Sequence, residues 1–178
     1  MTKTIDPTSA GLFLVGFITL LFGLLGFNLF SDPSDVGLLS AIFDFIFVIG
    51  ILMVIIAWMA GRAGNAYATA LFAFIAVAIF GASFGATAGL EGDAVAPTIF
   101  YALALFFIVF LFVAAMLGTP KLLIVLLFFV ALLYLFVGVY FGEGDKPFAG
   151  AVGVFGLLSF FTATYFAAAL STQKLPVF

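Results

Sequence analysis

Six long apolar segments dominate the chain, and short segments rich in Gly, Pro or charged residues separate them. A helix needs roughly 20 apolar residues to cross a bilayer, whereas a strand of a membrane barrel shows about ten residues of alternating hydrophobicity. The segments here are continuous rather than alternating, so they predict transmembrane helices. The predicted spans cover about residues 11–30, 37–60, 67–90, 98–117, 122–141 and 148–170.

The composition excludes most other classes of protein. Of the 178 residues, 67% are hydrophobic and 7% are charged, whereas soluble domains average about 45–50% and about 25%. So few charges cannot cover a water-soluble surface, which excludes a soluble enzyme, a disordered chain and a nucleic-acid-binding protein. We therefore expect an all-α integral membrane protein in which residues 1–178 form a single six-helix transmembrane domain.

The chemistry available to the side chains is limited. The chain has no Cys and no His, which excludes a thiol nucleophile, a disulfide and a zinc site built from these residues. No nucleophile–base pair and no phosphate-binding Gly loop is evident in the sequence. The sequence thus predicts no enzyme, no metal site and no cofactor. The first span lacks an obvious signal-peptide cleavage site, so we expect it to be retained.

The charges between the spans predict the orientation in the membrane. An even number of spans puts both termini on one side, and that side carries Lys3, Arg62, Lys121 and Lys174. The opposite side is mainly acidic, and its charged residues are Asp32, Asp35, Glu91, Asp93, Glu143, Asp145 and Lys146. The positive-inside rule then places both termini in the cytoplasm of a multi-pass protein of the plasma (inner) membrane. The acidic loops are either simply solvated or an electrostatic funnel for cations.

Asp44 is the single acidic residue inside a predicted span, and Phe43 and Phe45 flank it. A charge near the middle of a bilayer costs about 2.5–3.5 kcal/mol on insertion scales, so an intramembrane carboxyl is by default a proton, ion or pore site. The alternative is that Asp44 lies near the lipid headgroups or an aqueous vestibule. Elsewhere, small residues at a spacing of four predict close helix packing, as at Gly81, Gly85 and Gly89.

Several segments, spread over nearly the whole chain, resemble the acetate uptake transporters, the family that includes succinate–acetate permease. Before the first span, the matching residues are Asp6, Pro7, Gly11 and Leu12. Around the second loop, where the family has a basic residue, Gly-Asn, an aromatic residue and then Ala-Phe, they are Arg62, Gly64, Asn65, Tyr67 and Phe72. The stretch LGTPK and the sixth span, LLSFFTATYFAAAL, are also similar to the family.

The resemblance implies six spans, cytoplasmic termini and a hexamer with one pore in each protomer. The family's apolar constriction falls at Val15, Ile75 and either Ala131 or Leu132, with Phe17 close to the first position. Such a constriction would be smaller in its side chains and wider than that of the family. The other residues that we expect along the substrate path are Asp6, Gly11, Leu12, Thr19, Asp44 and Phe72.

The function expected from the resemblance is transport of acetate or a similar small monocarboxylate, as a channel or a proton-linked carrier. The acidic loops should repel an anionic solute, although salt screening over about 8 Å at physiological ionic strength weakens this objection. The alternatives are a channel for a small neutral or cationic solute, such as ammonia, urea or an inorganic cation, and a membrane subunit that does not transport. The expected partners are the solute, membrane lipid and further copies of the chain, with no nucleic acid.

Overall fold

The computed structural model describes residues 7–29, 36–90, 95–142, 148–172 and 176, which form helices and the short turns between them. The helices are α1 (Thr8–Gly26), α2 (Val36–Arg62), α3 (Ala66–Leu90), α4 (Val95–Met116), α5 (Lys121–Gly142) and α6 (Ala149–Thr172). Within the described residues, all six are long and apolar enough to cross a membrane. The predicted all-α fold with six transmembrane helices is therefore confirmed.

Local turn chemistry explains where the helices begin. The carbonyl of Pro7, the residue before α1, accepts a hydrogen bond from the Gly11 N–H at 3.1 Å. The side-chain oxygen of Asn65 caps α3 by accepting from the Ala68 N–H at 3.0 Å. α4 begins at Val95, earlier than the predicted span, so that Pro97 lies in its first turn. A proline is tolerated there because backbone N–H groups in the first turn make no intrahelical hydrogen bond, so its lack of an N–H loses none.

The six helices pack side by side in a closed ring, in the order α1, α6, α5, α4, α3, α2 and back to α1. The most extensive pairings are α1 with α6, α2 with α3 and α4 with α5. In this ring α1 and α4 lie opposite each other, and among the described residues they are not one of the packed pairs. Side chains that reach from one of these helices toward the other therefore fill the centre of the bundle.

Glycines bring the backbones of α1 and α6 into contact. A Cβ atom added to Gly156 would lie 2.5 Å from the Cα of Gly23, and Gly26 lies against the backbone of Gly153 in the same way. Small residues allow such close approach between transmembrane helices, where dispersion contacts replace the hydrophobic effect as the driving force. The Gly81 and Gly85 positions face the Ile99 side chain of α4 at ordinary or slightly tight contact distances.

Large apolar side chains cover the outside of the ring, as expected for a surface that meets lipid. Trp58 of α2, Leu105 and Phe112 of α4, and Phe161 of α6 are all exposed.

Inside the ring, a buried hydrogen bond joins α2 to α3: the Ser83 hydroxyl donates to the Phe43 carbonyl at 2.8 Å. The outside and the inside of the ring are thus both apolar, and they differ in how tightly their side chains pack.

Candidate functional site

A cavity of about 390 Å³ lies at one end of the bundle, and we call it the vestibule. The beginnings of α1, α3 and α5 and the end of α6 form its wall. Its lining residues are Thr8, Ser9, Leu12, Asn65, Tyr67, Ala68, Leu71, Phe72, Thr119, Pro120, Leu123, Phe166 and Leu170. The odd-numbered helices therefore start at the same end, which is the end that carries Arg62 and Lys121.

The vestibule offers hydrogen-bonding groups without charge, because no acidic side chain is found among its described lining residues. Thr119 uses its hydroxyl to donate to the Ala114 carbonyl at 3.0 Å. The Tyr67 hydroxyl is buried and has no hydrogen-bond partner among the described residues. A buried phenol without a partner is costly, so it is a donor that a solute in the vestibule can satisfy.

Leu12 of α1 and Phe72 of α3 line the inner end of the vestibule and are both buried, and we call this pair the neck. Gly11 is the reason that the Phe72 ring lies so close to α1, since a Cβ atom added to Gly11 would be 2.5 Å from the ring. At these two side chains the lining of the vestibule changes from partly polar to apolar. The side chains of Leu12 and Phe72 therefore offer no hydrogen-bonding group.

A second, much smaller cavity follows one helical turn deeper in the bundle. Its volume is about 20 Å³, which is room for about one water molecule. It is lined by Val15, Ile18, Thr19, Ile75, Ile79, Phe107, Val130 and Tyr134. The Thr19 hydroxyl donates to the Gly16 carbonyl at 2.9 Å. Its hydrogen is therefore engaged, and Thr19 offers a passing solute lone pairs rather than a donor.

The structure brings some of the predicted constriction residues together and separates others. Val15 and Ile75 both line the second cavity. On α5, Val130 and Tyr134 line this cavity, whereas Ala131 is buried beside them and Leu132 is half-buried. Phe17 lies on the outer surface of the bundle, where it is 41% exposed and its ring meets Phe45 edge to face at 6.0 Å.

Among the residues predicted for the substrate path, Leu12 and Phe72 line the vestibule, Gly11 supports Phe72, and Thr19 lines the second cavity. Asp6 lies outside the described residues, as do Lys3, Lys174 and the charged residues of the predicted acidic loops.

Asp44 lies inside α2, as the predicted span implies, and it is exposed in the single chain. Its side chain is on the exposed surface of α2, because the neighbouring Phe43 occupies the side that faces α3. Asp44 is not among the residues that line either cavity. Among the described residues, no cluster of acidic side chains could hold a metal ion.

A buried cluster of aromatic rings lies beyond the second cavity, and the sequence did not point to it. Tyr134 stacks on Phe107 with the ring centroids 5.4 Å apart, and Phe100 stacks on Phe141 at 5.5 Å. Phe22 meets Tyr134 edge to face at 6.1 Å. The chain has 27 Phe, and in an apolar helix nothing in the sequence separates an inward ring from one that faces lipid.

Comparison with solved structures relates this architecture to a known protein. The structure of the bacterial acetate channel SatP matches with a TM-score of 0.79 and 20% sequence identity, over 99% of this chain and 100% of that one. The chain has the fold of that channel. This confirms, at the level of the fold, the resemblance carried by the sequence motifs. No protein-family model and no curated protein sequence matches the chain.

Proposed function

We propose that the protein transports acetate or a similar small monocarboxylate across the membrane, through the centre of each helical bundle. The observation that carries this proposal is that α1, α3 and α5 line the vestibule and then, at successive positions along each helix, the second cavity. The fold shared with an acetate channel supports the choice of solute. No soluble module is needed for such a function.

The vestibule suits the capture of a carboxylate. Arg62 and Lys121 lie at the same end of the bundle and attract anions toward it. Within the vestibule the Tyr67 hydroxyl can donate to a carboxylate oxygen, and among the described lining residues no acidic side chain repels the anion. Capture thus needs no cofactor or metal.

Passage through the neck favours a solute that carries no net charge. Leu12, Phe72, Val15 and Ile75 offer no group that could replace the water around an anion, and an isolated carboxylate in such surroundings is expensive. We propose that acetate crosses as the acid or together with a proton. Carboxyl groups of this kind titrate near pH 4.3, taking Glu as the reference, so uptake increases as the pH falls.

A small neutral solute is the second candidate, and the second cavity favours it. The second cavity holds about one water molecule and has a mainly apolar wall. Its volume is therefore closer to the size of ammonia than to that of acetate. A cation channel is less well supported, because Asp44 is not among the residues that line the two cavities.

We also propose that the chain assembles as a hexamer in the plasma (inner) membrane, with cytoplasmic termini next to the vestibule. The exposed α1–α2 surface supports assembly, because Asp44 lies there beside the Phe17–Phe45 pair. A carboxylate is costly against lipid tails. A neighbouring copy that donates a hydrogen bond to Asp44 would remove this cost.

A panel of solutes distinguishes the candidates. The protein is reconstituted into vesicles, and the initial uptake of radiolabelled acetate, methylammonium, urea or rubidium is measured. We expect uptake of acetate above that of empty vesicles and no such uptake of rubidium. Uptake of urea or methylammonium without uptake of acetate would instead establish the neutral-solute channel.

A further inference from the structure

The central axis beyond the second cavity is filled by aromatic side chains. Phe22 reaches inward from α1 and Phe100 from α4, and their ring centroids are 6.4 Å apart although these helices lie on opposite sides of the ring. Tyr134 of α5 lies 6.1 Å from Phe22 and 6.0 Å from Phe100. Three helices therefore send rings to one point on the axis.

The same cluster forms one wall of the second cavity. Phe107 and Tyr134 line this cavity, and their rings are nearly parallel, with an interplanar angle of 8°. Phe22, Phe100, Phe107 and Tyr134 are all buried. The cluster is thus continuous with the path that begins at the vestibule, and it lies directly ahead of a solute that has reached Thr19.

We propose that Phe22, Phe100, Phe107 and Tyr134, which we call the aromatic plug, form the closed gate of the permeation path and limit the size of the solute. The proposal deepens the proposed transport function and rests on it. Val15 and Ile75 lie on the vestibule side of this point and are branched aliphatic residues. The aromatic plug therefore lies beyond the constriction that the family resemblance implies.

The physical basis is that the space between the neck and the plug is too small for acetate. The second cavity holds about one water molecule, whereas acetate has several non-hydrogen atoms, so the solute advances only when the rings move aside. Apolar constrictions also exclude water and ions while they are closed. In the proposed gate, opening requires these side chains to rotate apart while the helices stay intact.

Cysteine accessibility tests the plug without reference to any solute. The chain has no Cys, so Ile79→Cys places a unique thiol in the wall of the second cavity. A charged, membrane-impermeant methanethiosulfonate is added to proteoliposomes from the side opposite the vestibule. We expect the second substitution Phe22→Ala to accelerate labelling about tenfold or more, since it opens the constriction.

The matched control is Phe155→Ala, which removes a ring that stacks on Phe136 between α6 and α5, away from the plug. Equal acceleration by Phe22→Ala and Phe155→Ala, or by neither, would overturn the proposal. If Phe22→Ala does not fold, Phe22→Leu is compared with Phe155→Leu by the same ratio of labelling rates.

Selectivity in the same vesicles separates this proposal from the proposed function. If acetate is transported, Phe22→Ala should increase butyrate uptake more than acetate uptake, whereas Phe155→Ala should leave their ratio unchanged. An unchanged ratio in Phe22→Ala would contradict the gate. If the native protein carries no monocarboxylate, the proposed function fails, and the labelling rates still decide whether the plug closes the axis.

Discussion

Two hydroxyl groups along the proposed path, those of Tyr67 and Thr19, differ in their hydrogen bonding. The Tyr67 hydroxyl is buried without a partner, whereas the Thr19 hydroxyl is engaged with the Gly16 carbonyl. Only the first is a donor that a carboxylate can use without breaking a bond in the protein. We therefore propose that the vestibule recognises the solute and that the second cavity only lets it pass.

Tyr67→Phe should weaken acetate uptake by raising the half-saturating concentration. One hydrogen bond contributes about 1 kcal/mol, which corresponds to roughly a fivefold change. Stability should not fall, because the substitution removes a buried hydroxyl that has no partner in the empty vestibule. Concentration-dependent uptake of labelled acetate measures the effect.

The control for this change is Tyr165→Phe, whose hydroxyl donates to the Pro176 carbonyl at 3.2 Å and does not line the vestibule. It should leave the half-saturating concentration unchanged. An unaltered value in Tyr67→Phe as well would show that the Tyr67 hydroxyl does not contact the solute.

Asp44→Asn should leave the pH dependence of acetate uptake unchanged between pH 5 and pH 8, because Asp44 is exposed on α2 and lines neither cavity. The measurement is initial uptake at several pH values in matched vesicles. A pH profile that flattens in this variant would mean that Asp44 takes part in proton coupling after all.

Among the helices, the closest contact is between α1 and α6, where glycines face glycines. Gly156→Ala should destabilise the bundle by about 1–3 kcal/mol, the usual range for overpacking, since its Cβ atom would lie 2.5 Å from the Gly23 backbone. Gly81→Ala is the control, because its Cβ atom would lie 3.6 Å from Ile99. Thermal unfolding in detergent compares the two, and an equal loss would contradict the α1–α6 contact.

The helices themselves could be predicted from the sequence because a span of about 20 apolar residues is a demand of the bilayer. Their ends depend on turn chemistry, and Pro97 shows the limit, since it was expected before α4 and lies in its first turn. The direction of each ring could not be predicted. Phe22 is 1% exposed and Phe161 is 63% exposed, yet both belong to similar apolar runs, because lipid and protein interior are equally apolar.

A motif fixed the register for part of the candidate site, although Thr19, which belongs to no quoted motif, also lines the second cavity as predicted. The Gly-Asn motif and the Phe that follows it place Asn65, Tyr67 and Phe72, and all three line the vestibule. Phe17 and Asp44 were assigned without such a register, and both are on the outer surface. Exposure in a membrane bundle follows from packing between helices that are distant in sequence.

For the whole molecule, the vestibule, the neck, the second cavity and the aromatic plug are built from successive positions of the same helices, mainly α1 and α5. The rings of Phe22, Phe100, Phe107 and Tyr134 are in contact, and in our proposal they close the path. A closed path with a separate capture site is suited to controlled passage of a small solute. The central claim is therefore that acetate crosses the membrane along this axis.

Uptake of labelled acetate into proteoliposomes, with and without an inward proton gradient, tests this claim most directly. We expect saturable uptake that exceeds that of empty vesicles and rises when the gradient is imposed. Uptake no faster than in empty vesicles, with the tightness of the vesicles confirmed, would contradict the claim and leave the likeness to an acetate channel as one of fold.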